Sequence, residues 1–256
     1  MTTRRSIREI EALFRDATPS EEVIEQLRMD ERKGVKKLLA KWEKAMEERR
    51  RLVQQFDAMS TYENRLKKDG NLFIAGVDEA GRGSIAGPVV AACVVLPDEP
   101  ILGLNDSKQL PKKRRDELYD HIIRLAKVGI GVATRKEIDR HNVYEASKLA
   151  MIKAVKACRV RIDHLLVDAI ALKLPIPQTP LVKGDTISVS IAAASIVAKV
   201  TRDRMMRQLA EKYPQYGFDR HVGYGTKEHL QALQRFGVTD EHRRSFSPVS
   251  YIIQKR

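Results

Sequence analysis

A chain of 256 residues can bury the core of one large domain, or of a medium domain with an appendage. Its formal net charge of +13 favours a polyanionic partner, nucleic acid before an anionic membrane surface, and 5% aromatic residues argue against a single-strand binder built on stacking platforms. No apolar run approaches the roughly 18 residues of a membrane span, no secretion signal opens the chain, and Cys93 and Cys158 each sit in an apolar pattern, so a soluble cytoplasmic protein with two reduced core cysteines is expected.

Residues 1–70 lack strand-like runs and are expected to form an N-terminal helical extension. ATPSEEVIEQL carries a helix-start signal: Thr18 as N-cap, Pro19 at the first helical position and Glu21 closing a capping box. From Asp30 to about Tyr62, Val35, Leu38, Leu39, Trp42, Met46, Val53 and Phe56 recur at helical spacing among charges. The extension holds 17 Lys and Arg against 14 Asp and Glu, so +3 of the charge lies here and +10 beyond it, where the polyanion is expected to bind. The extension is expected to pack on itself or its neighbour, with help in substrate binding as the alternative. KKDGN (67–71) reads as the linker to a second domain, residues 71–256.

Beyond the linker, strands and helices interleave. LFIAGVD (72–78) and VVAACVVL (89–96) read as apolar, β-branched strands. PKKRRDELYDHIIRLAK (111–127) reads as a helix with a solvated basic start, and GIGVAT (129–134) as a third strand. EASKLAMIKAVKACR (145–159) is an amphipathic helix, DHLLVDAI (163–170) a buried strand carrying Asp168, and LVKGD (181–185) short and extended. The segment 190–213 is a long helix whose small-residue face suits close packing on a sheet. This alternation argues an α/β fold with a mixed β-sheet flanked by helices.

GVDEAGRGSIAGP (76–88) places glycines after a strand, as a dinucleotide-binding turn does. That turn needs a helix immediately afterwards, to hold a pyrophosphate at its N-terminus. Here Pro88 and a strand follow, and Asp78 and Glu79 would repel the phosphates. Two acids at a strand end suit a hard divalent cation such as Mg2+ instead. Adjacent strand residues point to opposite faces, so both acids reach one ion only where the strand gives way to the turn. Asp168 and Asp185 also end extended segments. Four converging carboxylates would repel by ~4 kcal/mol for a pair about 4 Å apart at intermediate dielectric, unless cations or protons neutralise them. The alternative for each acid alone is a turn former or helix cap.

With these residues the chain resembles the type 2 ribonucleases H, the bacterial ribonuclease HII family in particular. The resemblance runs from about Leu72 to about Phe246, through GVDEAGRGSIAGPVVAA, NDSKQL (105–110), VDA, VKGD, SIAAASIVAKVTRDRMM and HVGYGTKEH (221–229). The glycine-arginine-glycine favours HII over HIII. The first 70 residues lie outside the resemblance and inherit nothing from it.

The resemblance implies an RNase H-like fold, with a helical C-terminal region, and a four-carboxylate centre of Asp78, Glu79, Asp168 and Asp185. It implies two Mg2+ or Mn2+ ions flanking the scissile phosphate, one activating the attacking water and the other stabilising the leaving oxygen. The implied reaction cuts the RNA strand of RNA–DNA hybrids, and single ribonucleotides in duplex DNA, leaving 3′-hydroxyl and 5′-phosphate ends. Gly81, Arg82 and Gly83 would contact the ribonucleotide through their backbone, the two glycines permitting an approach that a Cβ would block. Tyr224 would join that turn in reading the ribose. Lys108 and Lys183 are expected to face phosphate. Ser195 and Lys199 share a helix face, for backbone contact or packing. Asp203 reads as a salt-bridging helix acid rather than a fifth ligand, and the six histidines show no zinc spacing. Ala169 stands where the family commonly has glycine, which leaves the backbone there less free. A monomer is expected. A duplex-binding protein of the same fold without catalysis is the alternative, and the presence of all four acids argues against it.

Overall fold

The computed structural model describes residues 5–16 and 19–254, in two compact units, Met1–Gln55 and Phe56–Arg256. The first contains α1 (Ile7–Asp16), α2 (Glu21–Arg28) and most of α3 (Lys33–Met59). Its helical apolar spacing is used as expected: Ile10, Ile24, Leu27, Val35 and Leu39 bury together, and Phe14 stacks on Trp42 at 5.2 Å. The expected start of the second helix is displaced. Helix α2 begins at Glu21 behind Ser20, whose side chain makes no capping bond, so Pro19 precedes the helix; Thr18 lies outside the described residues. Glu21 and Glu22 occupy the first turn, where carboxylates favour the exposed amides.

The second unit begins inside α3, upstream of the boundary expected near residue 70. Phe56 and Met59 enter the core beneath the sheet, and α4 (Thr61–Lys68) lays Tyr62 and Leu66 on Ile74, Leu166, Leu181 and Ile191. Glu63 of α4 is buried; its Oε1 accepts from the Ser188 hydroxyl at 2.6 Å and the Ser190 amide at 3.0 Å. The stretch read as the end of the extension and its linker is therefore built into the larger unit.

Five strands, β1 (Ile74–Ala80), β2 (Val89–Val95), β3 (Lys127–Ala133), β4 (His164–Asp168) and β5 (Gln178–Leu181), form one mixed sheet in the order β3-β2-β1-β4-β5. Strand β2 is antiparallel to β1 and β3, while β4 runs parallel to β1 and β5. The central runs are apolar throughout because both faces are covered. Ala75, Val77, Ala91, Cys93, Leu165 and Val167 pack against α6 (Arg135–Ala157). Ala92 and Val94 pack on the other face against α7 (Val189–Lys212) and α5 (Lys112–Leu125). Cys93 and Cys158 are buried and unbridged. The small-residue face of α7 brings the helix directly over β1: a Cβ on Gly76 would stand 2.0 Å from the Ser190 carbonyl carbon.

Helix α6 is interrupted at Asn142, φ 65°, whose Oδ1 accepts from the Tyr144 and Glu145 amides and starts a second helical segment. The expected helix 145–159 is that segment; the preceding turns, opened by the Thr134–Glu137 capping box, are additional. Three shorter helices, α8 (Phe218–His221), α9 (Lys227–Phe236) and α10 (Val249–Gln254), form the C-terminal region around Tyr216, Phe218 and Leu233. No helix among the described residues is long and apolar enough to cross a membrane.

Candidate metal centre and nucleic-acid interface

The acids gather where the parallel pairing of β1 and β4 ends. The last paired residues are Val77 and Val167, so Asp78 and Asp168 are each the next residue along. Strand β1 itself continues to Ala80, still paired with β2, so the convergence comes from the open β4 side and not from the end of the strand. One carboxylate oxygen from each of Asp78, Glu79 and Asp168 lies within 4.8 Å of the others. The Glu79 amide donates to Asp78 Oδ1 at 2.6 Å, which folds that carboxylate back along the strand. Asp168 Oδ1 accepts from the Gly184 amide at 2.8 Å.

Burial, then the charges of Glu79 and Asp168, push the Asp78 carboxyl well above its ordinary range, while the Ser195 hydroxyl steadies its ionised form. Burial also raises Glu79, with Asp168 adding to the shift and Arg82, 3.2 Å away, opposing it. Glu79 Oε2 is buried without a hydrogen-bond partner. Three carboxylates in mutual repulsion, one of them carrying an orphaned buried oxygen, are a donor set that a hard divalent cation satisfies.

Asp185 stands beside this trio rather than within it. It occupies a 3-10 turn, Gly184–Thr186, and not the end of an extended segment, because left-handed Lys183, φ 56°, turns the chain after β5. Burial and the neighbouring Asp106 raise the Asp185 carboxyl. Asp106 was missed by sequence reasoning: in NDSK it has the signature of a turn former, and its Oδ1 does accept from the Lys108 amide at 2.9 Å. The Lys108 ammonium lies 3.6 Å from Asp185 and 3.7 Å from Asp106; burial pulls it down, but the surrounding carboxylates outweigh that and raise it. Lys183 has an exposed side chain, and its turn presents the Gly184 amide to Asp168.

The other basic and polar candidates make contacts within the protein. Ser195, which faces Asp78, also bonds Ser107 at 2.9 Å, and Lys199 pairs with Asp203 at 2.7 Å, so Asp203 is a salt-bridging helix acid. The basic start of α5 is not merely solvated: Arg115 donates to the carbonyls of Ser107 and Leu110, and Arg114 to that of Leu102.

Beside the acids, Arg82, Gly83 and Tyr224 are exposed, and a Cβ on Gly83 would meet only the Tyr224 ring, at 3.7 Å. Gly81 differs from the expectation. It is buried with φ 95°, and a Cβ there would strike Arg202 Nε at 2.0 Å, so it is glycine for internal packing. Arg202 and Arg243, both fully buried, underlie the turn and were not anticipated: each was a cation in a basic stretch, with nothing local to mark it as buried.

The sequence profile described as Ribonuclease HII matches residues 75–249, and that of the Ribonuclease HII N-terminal domain matches residues 6–67. The extension thus has counterparts in the family, contrary to the expectation that it inherits nothing. The chain is 50% identical over 255 residues to a Ribonuclease HII of Bacillus cereus strain G9842, covering 98% of this chain and 99% of that one. A second, from Bacillus cereus strain B4264, is 51% identical over 253 residues, covering 98% of each. The crystal structure of the ribonuclease H2 from Pyrococcus horikoshii OT3 superposes with a TM-score of 0.62 at 28% identity, over 72% of this chain and 98% of that one. With the mixed sheet, the acidic trio and matches over nearly its whole length, the chain belongs to the ribonuclease HII family and is a ribonuclease H enzyme.

Proposed function

We propose that the protein hydrolyses the RNA strand of RNA–DNA hybrids and cuts at single ribonucleotides in duplex DNA. In this reading Asp78, Glu79, Asp168 and Asp185 hold two divalent cations, Mg2+ or Mn2+. The observation that carries it is the convergence of the Asp78, Glu79 and Asp168 oxygens, with Glu79 Oε2 buried and unpartnered, beside an exposed turn. Bound cations would supply Lewis acidity and a water that ionises near neutral pH. Asp168 is oriented for its part by the Gly184 amide, and Asp78 by the Glu79 amide and Ser195. Arg82, Gly83 and Tyr224 form the surface that receives the ribose, whose 2′-hydroxyl distinguishes RNA from DNA. Lys108, with its side chain 78% exposed, and Lys183 would meet phosphate. In this reading the protein acts as a monomer in the cytoplasm.

Cleavage of a duplex carrying one embedded ribonucleotide, beside an RNA–DNA hybrid and an all-DNA duplex, tests this reading. With Mg2+ or Mn2+ the first two are expected to be cut, leaving 3′-hydroxyl and 5′-phosphate ends, and the third to stay intact. Tyr224→Ala is expected to lower turnover at the embedded ribonucleotide by about tenfold or more, with all-DNA affinity nearly unchanged, because phosphate contacts do not depend on the sugar. No cleavage with either ion, or 2′,3′-cyclic phosphate ends, would overturn the reading.

A further inference from the structure

Two buried guanidiniums lie beneath the exposed turn, and neither forms an ion pair among the described residues. Arg243 spends its donors on main-chain carbonyls: Nε on Gly87 at 3.0 Å, one terminal nitrogen on Arg82 at 2.7 Å, the other on Gly81 at 2.6 Å and Pro88 at 3.3 Å. Arg202 donates to Pro88, Val222 and Ala86 at 3.0, 2.8 and 3.2 Å, and its guanidinium lies 5.9 Å from the Tyr224 ring centre. Burial pulls both guanidiniums down, and the adjacent Arg202 helps bring Arg243 to about 9; an arginine keeps its charge inside a protein. Burying two like charges without a carboxylate is expensive, and here it is offset by bonds to the main-chain carbonyls of the turn and its flanks.

The residue before Arg243 reaches the other half of the same surface. The Tyr224 carbonyl accepts from His229 Nδ1 at 2.8 Å, so His229 Nε2 is left as an acceptor. It therefore accepts the hydrogen bond donated by His242 Nε2 at 3.0 Å, and His242 Nδ1 in turn accepts from the Thr239 amide at 2.9 Å. The turn and the Tyr224 loop are also joined directly, the Ile85 and Ala86 amides donating to the Gly223 carbonyl at 2.9 and 3.3 Å. Consecutive residues thus grip the two parts of one surface: Arg243 holds Gly81 and Arg82, and His242, through His229, holds Tyr224.

We propose that Arg243, supported by Arg202, and His242 are positioning residues that set the 81–83 turn against Tyr224 at the spacing a ribonucleotide requires. The inference rests on the reading of that turn and Tyr224 as the ribose-recognising surface. None of the three touches substrate. They act through the backbone they hold, where a displacement of about 1 Å is enough to cost a hundredfold in rate.

The test uses Arg243→Lys, which keeps the charge but loses the fork, with His242→Phe, which removes the imidazole bonds to His229 and Thr239, and His242→Gln, which retains a donor. For each, kcat at an embedded ribonucleotide, affinity for all-DNA duplex and the melting curve are measured, beside Tyr224→Ala. In folded Arg243→Lys and His242→Phe, kcat is expected to fall about ten- to a hundredfold, with all-DNA affinity within about twofold. His242→Gln is expected to recover most of the rate. Wild-type kcat in the folded variants, an equal loss of all-DNA affinity, or failure of both variants to fold would overturn the proposal. Should Tyr224→Ala leave the ribonucleotide cut unchanged, the reading of the surface itself fails. Should Tyr224→Ala lose activity while Arg243→Lys and His242→Phe do not, only the positioning role fails.

Discussion

Ala169 follows the third acid of the trio with φ 53°, and its amide donates to the Leu181 carbonyl at 2.9 Å. A left-handed L residue costs about 1–2 kcal/mol, whereas glycine adds about 0.4–1 kcal/mol of unfolded-state freedom. Ala169→Gly is therefore expected to stabilise the protein by about 0.5–1 kcal/mol, read from the denaturation midpoint at constant m-value. A loss of stability would show that the turn is not strained. Ala169 drew notice only against the glycine that the resembled family commonly has there. Asp78, Glu79 and Asp168 were legible locally, since an acid closing a β-branched run contradicts its surroundings. Arg202 and Arg243 were not, because all but one of the carbonyls they bond lie more than a hundred residues away in sequence.

Among the elements, the C-terminal helices derive their rigidity from stacked rings. His221 and His229 lie 4.4 Å apart and nearly parallel, and Phe218 meets His229 edge-on at 5.3 Å. Burial lowers His229 to about 4 and His242 to about 3, from an ordinary value of 6.5. The unfolded imidazoles take up protons that the folded ones refuse, so stability is full above about 6.5 and drains away as pH falls through about 4 and 3. The loss is expected to reach about 1.4 kcal/mol per pH unit for each imidazole. His242→Phe removes its share, so the difference in unfolding free energy between wild type and variant should change across that range; parallel profiles would contradict the buried, neutral pair. Strands were the most legible elements, because long β-branched runs have no other use in so charged a chain. The first turns of α6 were hidden by the break at Asn142, which destroys the helical period across it, and the start of α2 depended on a cap that two neighbouring polar residues could equally supply.

For the whole molecule, the division between units was the least legible feature. KKDGN looks like a linker, but Glu63, Tyr62 and Leu66 just before it complete the core and steady the start of α7, and only the long-range contacts reveal this. A protein beginning at Phe56 is expected to fold and cleave. One beginning at Asp69 should be less stable by roughly 3 kcal/mol or more, having lost the burial of Phe56, Met59, Tyr62 and Leu66. Melting curves of the two decide it, and equal stability would return the boundary to residue 70. Because the extension contributes only +3, removing residues 1–55 is expected to change the log–log salt slope of duplex binding by less than one phosphate contact, about 0.9. The central claim, that this acidic trio carries the hydrolysis, is tested most directly by measuring turnover and duplex affinity together for Asp78→Asn in Mg2+. Turnover is expected to fall by at least about a thousandfold, while affinity holds or rises because a negative charge near the phosphates has gone; near-normal turnover in that variant would contradict the account.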